Sequence, residues 1–220
     1  ALTVYEKNIL VERLGVEEGR VIVIPNGIDD QLVDLAYGTC RIEANVVLYL
    51  GRISRSKNLD LLAKAMVYVK ESVPDVRLVL AGPDEGLVEK LGNYMQRHGV
   101  DFRYLGVVSE HEKYILYGKC SVFAHPALYE PFGITLLEAQ AFGKPCVITG
   151  EGGQLYAAPP GRTSLYAEPN PRDFARAISM LLTDEQLYKR LSVNARDWAS
   201  QHMWSKILPK YEEVYNQLCG

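Results

Sequence analysis

The sequence predicts an α/β fold in which a mainly parallel sheet is flanked by helices and followed by a helical C-terminal extension. Short β-rich apolar runs alternate with longer amphipathic stretches across most of the 220 residues, the pattern of successive βαβ units. Glycine or proline stands close to the carboxyl end of every run in the central part, where the strands of such a sheet turn into loops. From Pro171 to Gly220 the pattern is almost wholly helical.

The elements follow in order. Val21–Ile24 reads as a first strand ending at Pro25-Asn26-Gly27, and Asn45–Leu50 as a second ending at Gly51. A helix is expected from Leu59 to about Ser72, with Asn58 as cap and Leu61, Leu62, Ala65 and Val69 as its apolar stripe. Val76–Leu80 runs as a third strand into Ala81-Gly82-Pro83, and Glu85–His98 is a charged amphipathic stretch. Phe102–Leu105 is a fourth strand; Ser109-Glu110-His111-Glu112 has the form of a capping box that opens a helix to about Gly118. Ser121–His125, a helix over Gly133–Phe142, and Pro145–Thr149 come next. A short strand at Ser164–Ala167 precedes Asn170-Pro171, where proline suits the first helical position.

At 48% hydrophobic and 23% charged residues the chain buries a substantial core, which excludes disordered, collagen-like and disulfide-scaffold classes. A net charge of -3 gives no basic field, so no nucleic acid partner is expected, although a basic loop could still hold a phosphorylated small molecule. No apolar run approaches the roughly 20 residues that span a bilayer, so no membrane span is expected. Ala1–Lys7 lacks the basic and apolar regions of a secretory signal. Cys40, Cys120, Cys146 and Cys219 lie far apart, with no Cys-x-x-Cys and no histidine at ligand spacing. They read as buried thiols of a reducing, cytoplasmic compartment, with no metal and no cofactor expected.

Two segments carry chemistry. Gly51-Arg52-Ile53-Ser54-Arg55-Ser56-Lys57-Asn58 lies between a strand and a helix. Glycine permits close backbone approach, Arg52 offers a planar fork and Lys57 a mobile point charge, a pair suited to a diphosphate. The spacing is neither that of a Walker loop nor that of a dinucleotide fingerprint. The plainer reading is a solvated basic loop. In the second segment, Tyr129–Ala139, Glu138 falls between Ile134, Ala141 and Phe142 on a helix that is apolar nearly all round. A carboxylate buried there needs a partner, either a ligand hydroxyl or a neighbouring arginine or backbone group. Glu130 stands on the loop before that helix, beside the free amides of Gly133, Ile134 and Thr135, which form its positive end.

The run Pro126–Pro145, with Glu130 and Glu138 separated by seven residues, closely resembles the Glu-x7-Glu segment of retaining GT-B glycosyltransferases. That family includes glycogen synthases, sucrose-phosphate synthases and bacterial mannosyltransferases. Further matches follow in order: Ile24–Asp29, Gly51-Arg52 with Lys57, Ala81-Gly82-Pro83, Leu105–Val108 and Gly152-Gly153. The resemblance covers essentially the whole chain and implies one Rossmann-like domain, the C-terminal, donor-binding half of a GT-B fold. It implies that Gly51, Arg52 and Lys57 hold the diphosphate of a nucleotide sugar and that the backbone near Val108 meets the base. Glu138 would bind the ribose, Glu130 the transferred sugar as the catalytic-site carboxylate, and the amides of Gly133, Ile134 and Thr135 the sugar and distal phosphate. The implied reaction is metal-independent hexosyl transfer with retention, consistent with the lack of an Asp-x-Asp motif.

Ala127 stands where the family often has serine, His125 precedes Pro126, and Gln154-Leu155-Tyr156 replaces the common Pro-Glu pair after Gly152-Gly153. His125 could approach the donor or satisfy itself on backbone groups. Nothing in the chain corresponds to the N-terminal acceptor domain of the family. Residues 1–20 resemble an interdomain segment, and 203–220, with Trp204, Tyr211 and Tyr215, the helix that returns toward that missing partner domain. The expected partners are a nucleotide sugar or nucleoside diphosphate and that acceptor domain, and the isolated domain is expected to turn over little. A non-catalytic nucleotide-binding or interaction module that kept the fold is the alternative, and a Rossmann dehydrogenase is more distant because the glycine fingerprint is absent.

Overall fold

The computed structural model describes residues 1–32 and 43–219. Its main sheet contains β1 (Val46–Leu50), β2 (Arg77–Ala81), β3 (Asp101–Tyr104), β4 (Val122–His125), β6 (Cys146–Ile148) and β8 (Ser164–Tyr166) in the order β3-β2-β1-β4-β6-β8. All neighbouring pairs run parallel. The single α/β domain with a mainly parallel sheet is therefore present.

Strand β1 shows why the sheet is sandwiched. All five of its residues are buried, as an uninterrupted apolar strand requires when both faces are covered. Alternate residues serve opposite layers. Val47 and Tyr49 join Leu78 and Leu80 in a core beneath α2 (Leu59–Ser72) and α7 (Pro171–Thr183). Val46, Leu48 and Leu50 join Val79, Phe123 and Tyr117 in a second core that includes Leu136 and Leu137 of α5 (Ile134–Ala141). The remaining layer helices are α3 (Val88–Arg97), α4 (Glu110–Lys119) and α8 (Glu185–Ser200), with α1 (Val4–Glu12) before the sheet.

The punctuation expected from sequence acts locally. Ser109 Oγ accepts from the Glu112 amide at 3.3 Å while Glu112 accepts from the Ser109 amide at 2.8 Å, completing the capping box of α4. Asn170 caps α7 through the Asp173 amide, with Pro171 in its first turn. Asn58 occupies the cap position of α2 but donates and accepts no side-chain cap bond. Its backbone is left-handed because it closes the preceding turn Arg55–Lys57, a conformation asparagine tolerates.

Val21–Ile24 is not a strand, contrary to the sequence pattern. Among the described residues it joins neither sheet; the Ala1 amino group donates to Ile22 O and the Ile24 amide to Ala1 O, so it is held as an extended segment by the N-terminus. Gly27 and Ile28 instead meet the start of α9 (Trp204–Cys219): the Ile28 amide donates to His202 O and the Trp204 amide to Ile28 O. A groove of about 430 Å³ separates Leu2, Ile22 and Ile24 from Tyr211, Val214 and Tyr215 of α9. Among the described residues no helix is long and apolar enough to cross a membrane. Cys120 and Cys146 are buried thiols and Cys219 is exposed; Cys40 lies outside the described residues.

Candidate functional site

The chain leaves β1 toward β2 and β3 on one side and β4 toward β6 and β8 on the other. This reversal opens a crevice beyond the carboxyl ends of β1 and β4, where such sheets place ligands. A cleft of about 380 Å³ lies there, lined by Gly51, Arg52 and Lys57 from the loop after β1 and by His125, Glu130, Gly133, Ile134 and Thr135 from the end of β4 onward. Asn26, Tyr49 and Leu2 complete one wall.

Close backbone contacts hold the two loops. The Gly51 amide donates to Ala81 O and the Gly82 amide to Gly106 O, lacing the loops after β1, β2 and β3 together. A Cβ on Gly82 would stand 2.0 Å from Gly51 O, so this approach requires glycine. On the other side, β5 (Tyr129–Glu130) pairs with β7 (Glu151–Gly152) in a separate two-stranded sheet. The Glu151 amide donates to Leu128 O and the Gly153 amide to Glu130 O. A Cβ on Gly153 would stand 2.0 Å from Pro131 O. Gln154, the first residue of α6 (Gln154–Ala157), donates through Nε2 to the carbonyls of Ala127, Thr149 and Glu151 at 3.0, 2.5 and 3.1 Å. The segment that departs from the family pattern thus fixes the strand that carries Glu130.

Glu130 is the electrostatic centre of the cleft. Lys57 Nζ donates to its Oε2 at 2.6 Å, and His125 Nε2 lies 3.3 Å from the same oxygen. The side chains of Lys57 and Glu130 are 17% and 16% exposed. Burial raises the Glu130 carboxyl pKa, but His125 and Lys57 outweigh it and hold the group at about 2. Tyr49 lies on the other side of His125, its ring centroid 6.3 Å away, and its hydroxyl donates to Arg52 O. Burial first and the Glu130 charge second push the Tyr49 phenol well up. The Arg52 side chain is 63% exposed and, among the described residues, its ion pair is a 3.3 Å contact with exposed Glu85. The amides of Gly133, Ile134 and Thr135 begin α5, which has no side-chain cap. Cations and helix amides beside an ionised carboxylate can hold a polyanion next to a group rich in hydroxyls.

Seven of the sequence-selected residues therefore converge: Gly51, Arg52, Lys57, Glu130, Gly133, Ile134 and Thr135. Glu138 and Val108 are not among the residues lining this cleft. Glu138 is buried, as its helical position required, and its partners are Lys113 Nζ at 2.9 Å and the Tyr117 hydroxyl at 2.7 Å. Lys113 also pairs with Glu110, so α4 carries the counter-charge to α5. Val108 packs against the second core. Lys113, Tyr117 and Gln154 were not selected from sequence. Pairs across 25 and 21 residues between two helices leave no local spacing signal; the only clue to Gln154 was its departure from the family pattern.

The family model for glycosyl transferases group 1 matches residues 41–198. The chain belongs to this family. Mannosylfructose-phosphate synthase of Agrobacterium fabrum is 30% identical over 94% of this chain and 50% of its own length. This glycosyltransferase chain thus spans about half of that curated relative. Among solved structures, a glycosyltransferase from Rickettsia africae has a TM-score of 0.88 at 21% identity, covering the whole of this chain and 62% of its own. Anabaena HepE, solved in complex with UDP and glucose, has a TM-score of 0.83 at 23% identity, again over the whole of this chain and 62% of its own. The fold of this glycosyltransferase chain is accordingly that of GT-B neighbours. No group of three or more His, Cys, Asp or Glu residues that could hold a metal occurs among the described residues.

Proposed function

We propose that this chain is the donor-binding half of a retaining glycosyltransferase: it binds a nucleotide sugar and presents its hexosyl group to an acceptor held by an N-terminal domain. The observation that carries the reading is the Lys57–Glu130 pair set in the switch-point cleft between Arg52 and the uncapped start of α5. In this reading Arg52 and Lys57 take the diphosphate, and the Gly133, Ile134 and Thr135 amides take the distal phosphate and sugar. These groups offset the charge of the departing nucleoside diphosphate without a metal. Glu130 is the catalytic-site carboxylate that accepts from sugar hydroxyls, while Glu138 and the backbone near Val108 serve ribose and base. For Glu138 this means sharing its oxygens with Lys113 and Tyr117. The HepE complex with UDP and glucose supports the donor class. Cytoplasmic location, and low turnover of the domain without its partner, belong to the same reading.

Calorimetric titration with UDP, GDP and ADP tests it, with Arg52→Ala beside the wild type. Saturable binding of at least one nucleotide is expected, weakened about tenfold to a hundredfold by the loss of a charged donor. No saturable heat from any of the three sinks the reading.

A further inference from the structure

We propose that His125 reads the sugar of the donor: its imidazole hydrogen-bonds a hydroxyl of the transferred hexosyl group beside Glu130, favouring the nucleotide sugar over the bare nucleoside diphosphate. The inference rests on the donor-binding reading above.

His125 ends β4, and its side chain is only 3% exposed. A buried imidazole ordinarily finds partners for its nitrogens on backbone or side chains. Here Nδ1 has no hydrogen-bond partner among the described residues, and Nε2 faces Glu130 Oε2 at 3.3 Å outside hydrogen-bond alignment. Lys57 Nζ already occupies that oxygen at 2.6 Å, whereas Glu130 Oε1 receives no hydrogen bond from a described residue. Lys57 and the imidazole crowd one oxygen while its neighbour is left open.

A ligand resolves the crowding. Phosphate oxygens attract Lys57, and its departure opens Oε2 and the position beside the imidazole. The group that fits there must donate to a carboxylate and also bond an imidazole nitrogen. A hydroxyl does both; a phosphate oxygen accepts only and is repelled by Glu130. The imidazole therefore belongs to the sugar end of the ligand, with Arg52 and the α5 amides at the phosphate end.

The test is titration of the wild type, His125→Phe and His125→Asn with three ligand pairs: UDP and UDP-glucose, GDP and GDP-mannose, ADP and ADP-glucose. For the pair that binds the wild type, His125→Phe is expected to weaken the nucleotide sugar about tenfold and the bare diphosphate less than about twofold, the loss of one ligand hydrogen bond. His125→Asn keeps a donor and an acceptor on a shorter side chain and is expected to lose about threefold, again for the sugar nucleotide only. Equal weakening within the pair, or none, overturns the inference. Thermal unfolding reports whether each variant is folded; if His125→Phe is not, His125→Asn decides by the same criterion. A wild type that binds none of the six ligands removes the donor-binding reading itself, and that failure shows before any substitution is made.

Discussion

Glu130→Gln tests the geometry of the cleft without any ligand. Its carboxyl lies at about 2 in the folded chain against an ordinary 4.5, despite burial that acts in the opposite direction. At ~1.4 kcal/mol per pKa unit the difference sets a ceiling of roughly 3 kcal/mol. Glu130 and Lys57 retain 16% and 17% exposure at the wall of an open cleft, so solvent screening reduces this to about 1–2 kcal/mol. A depressed folded pKa contributes stability that is fully present above 4.5 and is lost as pH falls toward about 2. Glutamine keeps the shape but cannot ionise. Urea unfolding of both proteins at steps from pH 6 to pH 3 should show the variant less stable by about 1–2 kcal/mol at pH 6. More than half of that gap should be gone by pH 3. Comparing the two proteins at each pH cancels the titration of every other carboxylate. A gap that stays constant across the range means that Lys57 and His125 do not hold Glu130 as described.

Gly153→Ala should disturb both stability and the site, because its Cβ would meet Pro131 O at 2.0 Å and neither backbone can yield without moving β5. Thermal unfolding should show a loss of about 1–3 kcal/mol, and nucleotide titration a weakening larger than stability alone explains; unchanged melting would contradict the close approach. Lys113→Met removes the cation from the buried Glu138 carboxylate and should cost about 3–5 kcal/mol in urea unfolding, whereas Tyr117→Phe removes one hydrogen bond and should cost about 1–3 kcal/mol. Equal effects of the two would mean that Lys113 does not neutralise Glu138.

The parts of the fold legible in the sequence are those whose causes are local. The all-buried β1, the α4 capping box and the Asn170-Pro171 start of α7 depend on residues within one element, and each forms where its pattern stands. Val21–Ile24 has a strand's composition but among the described residues it bonds to the N-terminus and joins neither sheet, and pairing is not written in the run itself. The cleft was legible in part for the same reason. Loop residues after β1 and β4 had to meet once the sheet order placed those strands side by side. The partners of Glu138 and the three carbonyls gathered by Gln154 come from other elements, chosen by packing, so spacing gave no notice of them. Tyr129–Glu130 is too short for any periodicity, yet it is the strand that aims the carboxylate.

The two cations of the first loop are consequently not equivalent, although sequence presents them as a pair. Arg52 stands at an exposed position, and in the proposed donor-binding reading it gives up a solvated contact with Glu85 when it turns to a phosphate. Under the proposed donor-binding reading Lys57 leaves a short, largely buried bond to Glu130, so the ligand has to replace part of the about 1–2 kcal/mol that Lys57 and His125 together give that carboxylate before Lys57 adds any net affinity. A bare diphosphate recovers the cation but leaves the Glu130 carboxylate without it. A nucleotide sugar supplies hydroxyls to the oxygen that Lys57 vacates. On that reading the ion pair penalises the incomplete ligand more than the complete one, and discrimination between them follows from the resting arrangement of the cleft.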